Sequence, residues 1–464
     1  MSGELSIFAA AEASSAHGAI VAGGAVWSFA ALAGRVRAAI GWLDERGVEE
    51  RAALVASPRL DSLVMLLALI ERGTTAVLLH PRLTEKERRE LVAEACCETV
   101  IDERWTIPSG EGRGFVARDP PSPRSTLAVL FTAGSTGKPK GVRLSRAAFV
   151  AAALASERNL GWRHDDRWLL ALPFAHIGGL SIVTRCLAAR RTVVLAEGGR
   201  ASTEQIVAAV ERDRVTLLSL VPTQVKLILD RRPRWDPPSY VRAILVGGAA
   251  ASSTLLGEAA DRRWPLRTTY GLTETCAQVA TDRAATANRG EAGAGAPLDG
   301  IRVRIAGGGI EIHGPTLMDG YLGGAPDPFT ADGWLCTGDL GRLDGEGRLH
   351  VLGRRDEVIV TGGENVDPVE VEQALERLPG VKAACVFGVP DPAWGQIVVA
   401  ALAGPRPMDD AVLVGLLARE LAPYKRPRRL AWLPALPSTT AGKLDRRASA
   451  ELARPRLRPL SSAR

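Results

Sequence analysis

The chain holds 464 residues with a formal net charge of +6, 46% hydrophobic and 24% charged, the balance of a globular protein of two or three domains. The best candidate for an apolar span, Leu63 to Ile70, falls far short of the roughly 18 residues of a membrane helix, and the first basic residue, Arg35, comes too late for the charged start of a signal peptide; neither membrane insertion nor export is expected. Six cysteines (Cys96, Cys97, Cys186, Cys276, Cys336, Cys385) lack metal-ligand spacing and read as reduced thiols of a cytoplasmic protein.

In chain order, Ile20–Val21 and Val26–Trp27 flank a Gly23–Gly24 turn and predict a hairpin. Ser28 then caps a helix running toward Gly47. A strand over Ala52 to Ala56 leads into an apolar helix around Leu63 to Ile70, and Thr84 to Glu87 is a capping box that opens another helix. Further strands are expected at Leu127–Phe131, Trp168–Leu172, Thr192–Ala196, Val215–Leu220 and Ala243–Val246, separated by helices. Alternation of this kind predicts parallel sheets covered on both faces. The pattern changes near residue 290. Gly290 to Gly300 reads as a loop, and Ile301 to Gly341 as short strands of a small β-subdomain. A compact α+β unit starts near Asp356. Its first helix is capped by Asp367, with Pro368 in the first turn and Glu370 at the capping-box position. Strands Ala383–Phe387 and Ile397–Ala401 and a helix near Ala411–Leu421 follow. The chain after Ala453 is expected to be disordered. The basic stretch from Tyr424 onward has only Tyr424 and Trp432 as aromatics, which does not suit a nucleic-acid surface. A solvated face or an anionic small-molecule partner accounts for it.

The strand Leu127–Phe131 runs into Thr132-Ala133-Gly134-Ser135-Thr136-Gly137-Lys138-Pro139-Lys140-Gly141. Glycines let backbone approach a phosphate closely, and hydroxyls and lysines complement its charge. The spacing is not that of a Walker A loop, because Gly134 and Gly137 are too close and Pro139 follows Lys138. Farther on, Gly247-Gly248-Ala249 follows a strand. Tyr270-Gly271-Leu272-Thr273-Glu274 puts an aromatic ring, a hydroxyl and a carboxylate within five residues, groups able to stack on a purine, bond a phosphate oxygen and hold Mg2+.

These blocks, in this order and over nearly the whole chain, resemble the adenylate-forming superfamily of acyl- and aryl-CoA ligases, luciferases and peptide-synthetase adenylation domains. Ala133 departs from the serine usual there. The resemblance implies an α/β protein. A large N-terminal domain, residues 1–355, would hold two doubly wound α/β subdomains and a small β-subdomain. A small mobile α+β domain, 356–464, would follow. It implies ATP, Mg2+ and CoA as co-substrates and metal. Thr132, Gly134, Ser135, Thr136, Gly137 and Lys140 would line the phosphates, Gly247 to Ala249, Tyr270 and Gly271 the adenine, and Asp339 with Arg354 the ribose. Thr273 would contact the α-phosphate and Glu274 the metal. Asp356, in Gly353-Arg354-Arg355-Asp356, takes the pivot position. Gly362 and Gly363 would line the thiol tunnel, and Lys443, in Ser438-Thr-Thr-Ala-Gly-Lys443, would be the catalytic lysine.

For the acid, Pro173 to Ser181 resembles the block that gates the pocket, with His176 as gate. Leu79-His80-Pro81-Arg82-Leu83, the His176 block and Thr273 to Thr281 resemble o-succinylbenzoate–CoA ligases of menaquinone biosynthesis. Arg185 stands where those enzymes carry a basic residue and is expected to pair with the ring carboxylate. Gly178 departs from their usual serine. Another aryl- or acyl-CoA ligase is the nearest alternative, and a non-catalytic nucleotide sensor the alternative of another class. A homo-oligomer is left open.

Overall fold

The computed structural model describes residues 4–107, 119–132, 139–196, 201–282, 293–324, 326–404, 409–439 and 442–460. Of the expected phosphate-binding residues, Gly134, Ser135, Thr136 and Gly137 lie outside these.

A five-stranded sheet runs Val100–Ile101, Arg51–Val55, Thr75–Leu79, Thr126–Thr132 and Lys140–Ser145. The first four strands are parallel and the last is antiparallel. A nine-stranded sheet is parallel through its middle, from Leu266–Leu272 across Ala243–Val246, Leu217–Leu220, Arg167–Leu170 and Thr192–Leu195 to Gly18–Ala22. Antiparallel strands close both of its ends.

Between the sheets lies a helical layer. The helix Leu60–Arg72 is buried over every residue from Ser62 to Ile70. It therefore shows a continuous apolar run rather than a 3.6-residue stripe, because both of its faces meet core. Leu54, Leu78 and Leu130 of one sheet and Ile20, Leu170 and Val193 of the other share a single core with it. The expected caps form: Ser28 Oγ accepts from Ala31 N–H at 3.2 Å, and Thr84 and Glu87 close a reciprocal capping box.

A four-stranded antiparallel sheet, Arg302–Ala306 to Leu349–Arg354, forms the β-subdomain. The C-terminal unit places the helices Pro368–Glu376, Asp410–Glu420 and Arg446–Ala453 on a sheet built around Gly395–Ala403. The expected α/β architecture is observed.

Four details differ from the sequence reading. Lys140–Ser145, not read as a strand, pairs antiparallel with Thr126–Thr132, Lys140 opposite Thr132. Gly141 and Arg143 hide that strand's alternation. Ala296–Pro297, read as loop, pairs with Ala277–Thr281. Glu370 does not complete a capping box; it receives Lys425 Nζ at 2.7 Å, and Asp367 alone caps the helix through Val369 N–H. The chain after Ala453 is ordered through residue 460. Arg458–Pro459 pairs with Arg429–Leu433, and Arg458 is bonded to Asp410; a backbone ladder and an ion pair hold what composition alone leaves loose.

Candidate active site

Several expected site residues, Gly247, Gly248, Tyr270, Thr273 and Glu274 among them, lie at or just beyond the carboxyl ends of parallel strands, where open α/β sheets place ligands. Strand Ala243–Val246 exits into Gly247, where a Cβ would come 2.7 Å from both Thr269 Cγ2 and Thr269 O. Gly248 has φ +79°, and a Cβ there would lie 3.5 Å from Lys443 Cε. This turn is therefore open enough for the lysine stem to pass, with exposed Ala249 beyond it. At Gly271 a side chain would run into the Ala277 carbonyl, which fixes the irregular register after Tyr270.

Tyr270 Oη donates to Asp339 Oδ2 at 2.6 Å, and Arg354 Nη1 donates to Asp339 Oδ1 at 3.2 Å. Asp339 is 6% exposed. Burial raises its pKa, against the opposing pull of Tyr270 and Arg354, and the Tyr270 phenol is itself pushed up by burial and by Asp339. Each carboxylate oxygen keeps a second acceptor site beyond these bonds, as binding of a diol requires.

Thr273 opens the short turn Thr273–Thr275 that carries Glu274. Glu274 Oε1 accepts from Tyr321 Oη at 3.1 Å, and its carbonyl accepts from Met318 N–H at 2.9 Å. Lys140 Nζ sits 4.9 Å above the Tyr321 ring, and Lys140 pairs with Thr132 across the hairpin. Tyr321 thus links the phosphate loop to Glu274. The sequence reading missed it, although two of the chain's four tyrosines meet at this site. A single hard carboxylate beside a phosphate-binding loop fits Mg2+, which takes one or two carboxylates and completes its shell with phosphate and water. Among the described residues no cluster of three or more metal-ligating side chains exists.

Lys443 enters from the C-terminal unit on a tight loop. Its N–H donates to Thr439 Oγ1 at 3.2 Å and its carbonyl accepts from Thr439 N–H at 2.7 Å. Thr223, in the first turn of the helix Pro222–Arg231, donates to Gly442 O at 2.9 Å and docks the loop. Lys443 keeps exposed surface at the crevice mouth. Protein still surrounds it closely enough for burial to lower its pKa, against Asp339 and Glu274, with Arg354 adding to the lowering.

His176 precedes the helix Ile177–Ala189 and faces His80, ring centroids 5.2 Å apart. Arg185, on the same helix, is 3% exposed. Its guanidinium lies 5.6 Å over the Trp168 ring, its Nε and Nη2 lack partners, and burial pushes its pKa down to about 10. Among the described residues no carboxylate pairs with it. Arg185 is thus a buried residue of this helix, not a surface one.

Asp356 accepts from Arg354 Nε at 3.1 Å, so Arg354 spans Asp339 and Asp356, the expected pivot. Gly362 and Gly363, at φ +59° and +87°, form a hairpin tip. That tip packs on the exposed Trp394 of its own sheet, through Gly362 N–H to Trp394 O at 2.9 Å, while Arg428 covers the indole at 3.7 Å. In this arrangement Lys443 is the group brought to the crevice, and the glycine tip is not.

Residues 7–322 match the AMP-binding enzyme family, and residues 370–443 match the AMP-binding enzyme C-terminal domain. A 2-succinylbenzoate–CoA ligase of Enterococcus faecalis is 32% identical over 85% of this chain and 87% of its own length. One of Bacillus subtilis is 33% identical over 85% and 81%. The solved o-succinylbenzoate coenzyme A synthetase of Bacillus subtilis in complex with ATP and magnesium ion superposes with a TM-score of 0.87 at 30% identity, over 95% of this chain and 98% of that one. With its acyl-adenylate intermediate the score is 0.85, over 95% and 96%. A double mutant carrying a CoA product analogue scores 0.69, over 96% and 97%. The chain belongs to the AMP-binding, adenylate-forming enzyme family.

Proposed function

We propose that the chain is an AMP-forming acid–CoA ligase acting on o-succinylbenzoate. The acid's carboxylate attacks the α-phosphorus of ATP, forming the acyl-adenylate and releasing pyrophosphate. The thiol of CoA then attacks the acyl carbon, forming the thioester and releasing AMP. The observation that carries this reading is Lys443, whose stem lies against Gly248 at the crevice mouth, near enough for Asp339 and Glu274 to act on its charge. A fixed cation where negative charge accumulates is a large catalytic effect.

Tyr270 and the Gly247–Ala249 turn would flank the adenine, and Asp339, held by Tyr270 and Arg354, would accept the ribose hydroxyls. Thr273 would bond the α-phosphate, and Thr132 and Lys140 the outer phosphates. Glu274 would hold Mg2+, which when bound offsets phosphate charge. Residues 1–355 would form the reactant-binding body and 356–464 a mobile unit pivoting at Asp356. The fall in TM-score against the structure with a CoA product analogue supports a second arrangement of the fold; in it, Gly362 and Gly363 would replace Lys443 in the crevice. Trp394 and Arg428 beside that tip offer a stacking face and a cation to the nucleotide end of CoA. Arg185, buried and unpaired, would take the ring carboxylate of the acid, since an isolated buried cation is costly. Every side chain assigned here comes from one chain, so a homo-oligomer would not need to lend residues. The substrates and the six free cysteines suit the cytoplasm.

At Gly178 a Cβ would come 3.1 Å from Leu172 Cδ1, so the pocket has its own shape there. A different aryl acid is the second reading. ATP–pyrophosphate exchange over o-succinylbenzoate, benzoates and fatty acids decides between them. Exchange led by o-succinylbenzoate, followed by acyl transfer to free CoA, is expected; exchange led by a monocarboxylate would overturn the substrate.

A further inference from the structure

His80 follows the strand Thr75–Leu79 and is 7% exposed. That strand pairs in parallel with Thr126–Thr132, Leu78 opposite Leu130. Continued by two residues, the register brings His80 level with Thr132, where the phosphate loop begins. On its other side His80 meets the gate, His176, at 5.2 Å between ring centroids and a tilt of 35°. His80 thus stands between the expected phosphate and acid subsites.

The tautomer of His80 follows from one bond. Its Nδ1 lies 3.1 Å from the backbone N–H of Arg82. A backbone N–H only donates, so a neutral His80 carries its proton on Nε2. Burial, and then the charge of Arg82, pushes its pKa down to about 4, which keeps the ring neutral at physiological pH. Nε2–H is then a buried donor, and no acceptor among the described residues meets it. The neighbouring His176 Nε2 is also buried and without a partner among the described residues. A buried donor left unmet is costly, and folded proteins keep few of them.

We propose that His80 donates its Nε2–H to an anionic oxygen of the bound reactants and is a further binding residue of the adenylation step. This rests on the ligase reading above. The oxygen belongs either to the carboxylate of the acid or to a phosphoryl group of ATP. A neutral donor suits this place: it meets an anion without adding positive charge near Lys443, whose charge already acts on His176.

His80→Phe keeps a flat ring against His176 and removes the donor. His80→Gln restores an N–H. In the full chain, KM for the acid at saturating ATP and KM for ATP at saturating acid are read by pyrophosphate exchange. Calorimetric binding of each reactant alone gives the same comparison without turnover. The expected result is a rise of tenfold or more in KM and Kd for one reactant in His80→Phe, with unchanged melting temperature and substantial recovery in His80→Gln. The reactant affected identifies the oxygen. Wild-type affinity for both reactants in His80→Phe overturns the assignment, as does a loss in kcat alone or a glutamine variant no better than phenylalanine. A wild-type chain that binds reactants but catalyses no exchange refutes the ligase reading instead, and the binding series still decides on His80.

Discussion

Arg446 donates from Nε to Glu357 Oε2 at 2.9 Å, tying the segment that carries Lys443 to the residue after Asp356, the proposed pivot. The same guanidinium bonds Glu372 through both terminal nitrogens, Nη2 to Oε2 at 2.9 Å, and reaches the Val386 carbonyl at 3.2 Å. Glu357, the helix Pro368–Glu376 and the segment after Lys443 thus share one cation. Arg446→Met leaves the buried Glu372 carboxylate without its partner. Adenylate formation is expected to slow by tenfold or more, while thioester formation from supplied acyl-adenylate slows less. Stopped-flow measurement of the two half-reactions checks this; equal losses in both would indicate a purely structural role.

The pH dependence of adenylation follows from Lys443. Burial lowers its pKa, and Asp339 and Glu274 offset only part of that. The ammonium is the useful form, so activity is present below the folded pKa and lost as pH rises through it. The alkaline limb of kcat for pyrophosphate exchange is therefore expected below the pKa of a free lysine. In Lys443→Arg, if turnover persists, that limb moves to higher pH.

Arg185 predicts selectivity. Arg185→Ala is expected to raise KM for o-succinylbenzoate about 100-fold, equivalent to ~2.7 kcal/mol, and to leave simple benzoates unaffected or improved. Steady-state kinetics over both acids test it. Unchanged activity on o-succinylbenzoate would remove the pairing.

Asp166 predicts stability. Its carboxylate accepts from Arg242 Nε at 2.7 Å and Thr216 Oγ1 at 2.8 Å, with no exposed side-chain surface. Burial raises its pKa, but Arg242, the Arg163 N–H and Thr216 outweigh this and hold it below the ordinary carboxylate value. Its stabilisation is present above the unfolded pKa and is lost as pH falls through the folded one. Asp166→Asn is expected to cost about 3–5 kcal/mol in urea denaturation at neutral pH, and less in acid.

Much of this was legible in the sequence, for physical reasons. Buried parallel strands read as short apolar runs, so Ala243–Val246 appears with its observed bounds. Thr84 and Glu87 announce their helix because capping is local chemistry. The site blocks carry residue types whose combinations suit phosphate, purine and metal. What escaped depends on distant partners. Tyr321 acquires meaning only because the β-subdomain brings its hydroxyl to Glu274, 47 residues earlier. Thr223 matters only once Gly442 docks on it. The burial of Arg185 is signalled only by its helix, apolar on nearly every side, while its own charge argues the other way. The order beyond Ala453 comes from pairing with Arg429–Leu433, a contact that composition does not encode.

The most direct measurement is the pair of half-reactions in Lys443→Ala. Pyrophosphate exchange with o-succinylbenzoate is expected to fall by roughly 100- to 1,000-fold, while acyl transfer from supplied o-succinylbenzoyl-adenylate to CoA continues near the wild-type rate. Exchange at the wild-type rate in this variant would contradict the assignment of Lys443 as the cation that completes the crevice.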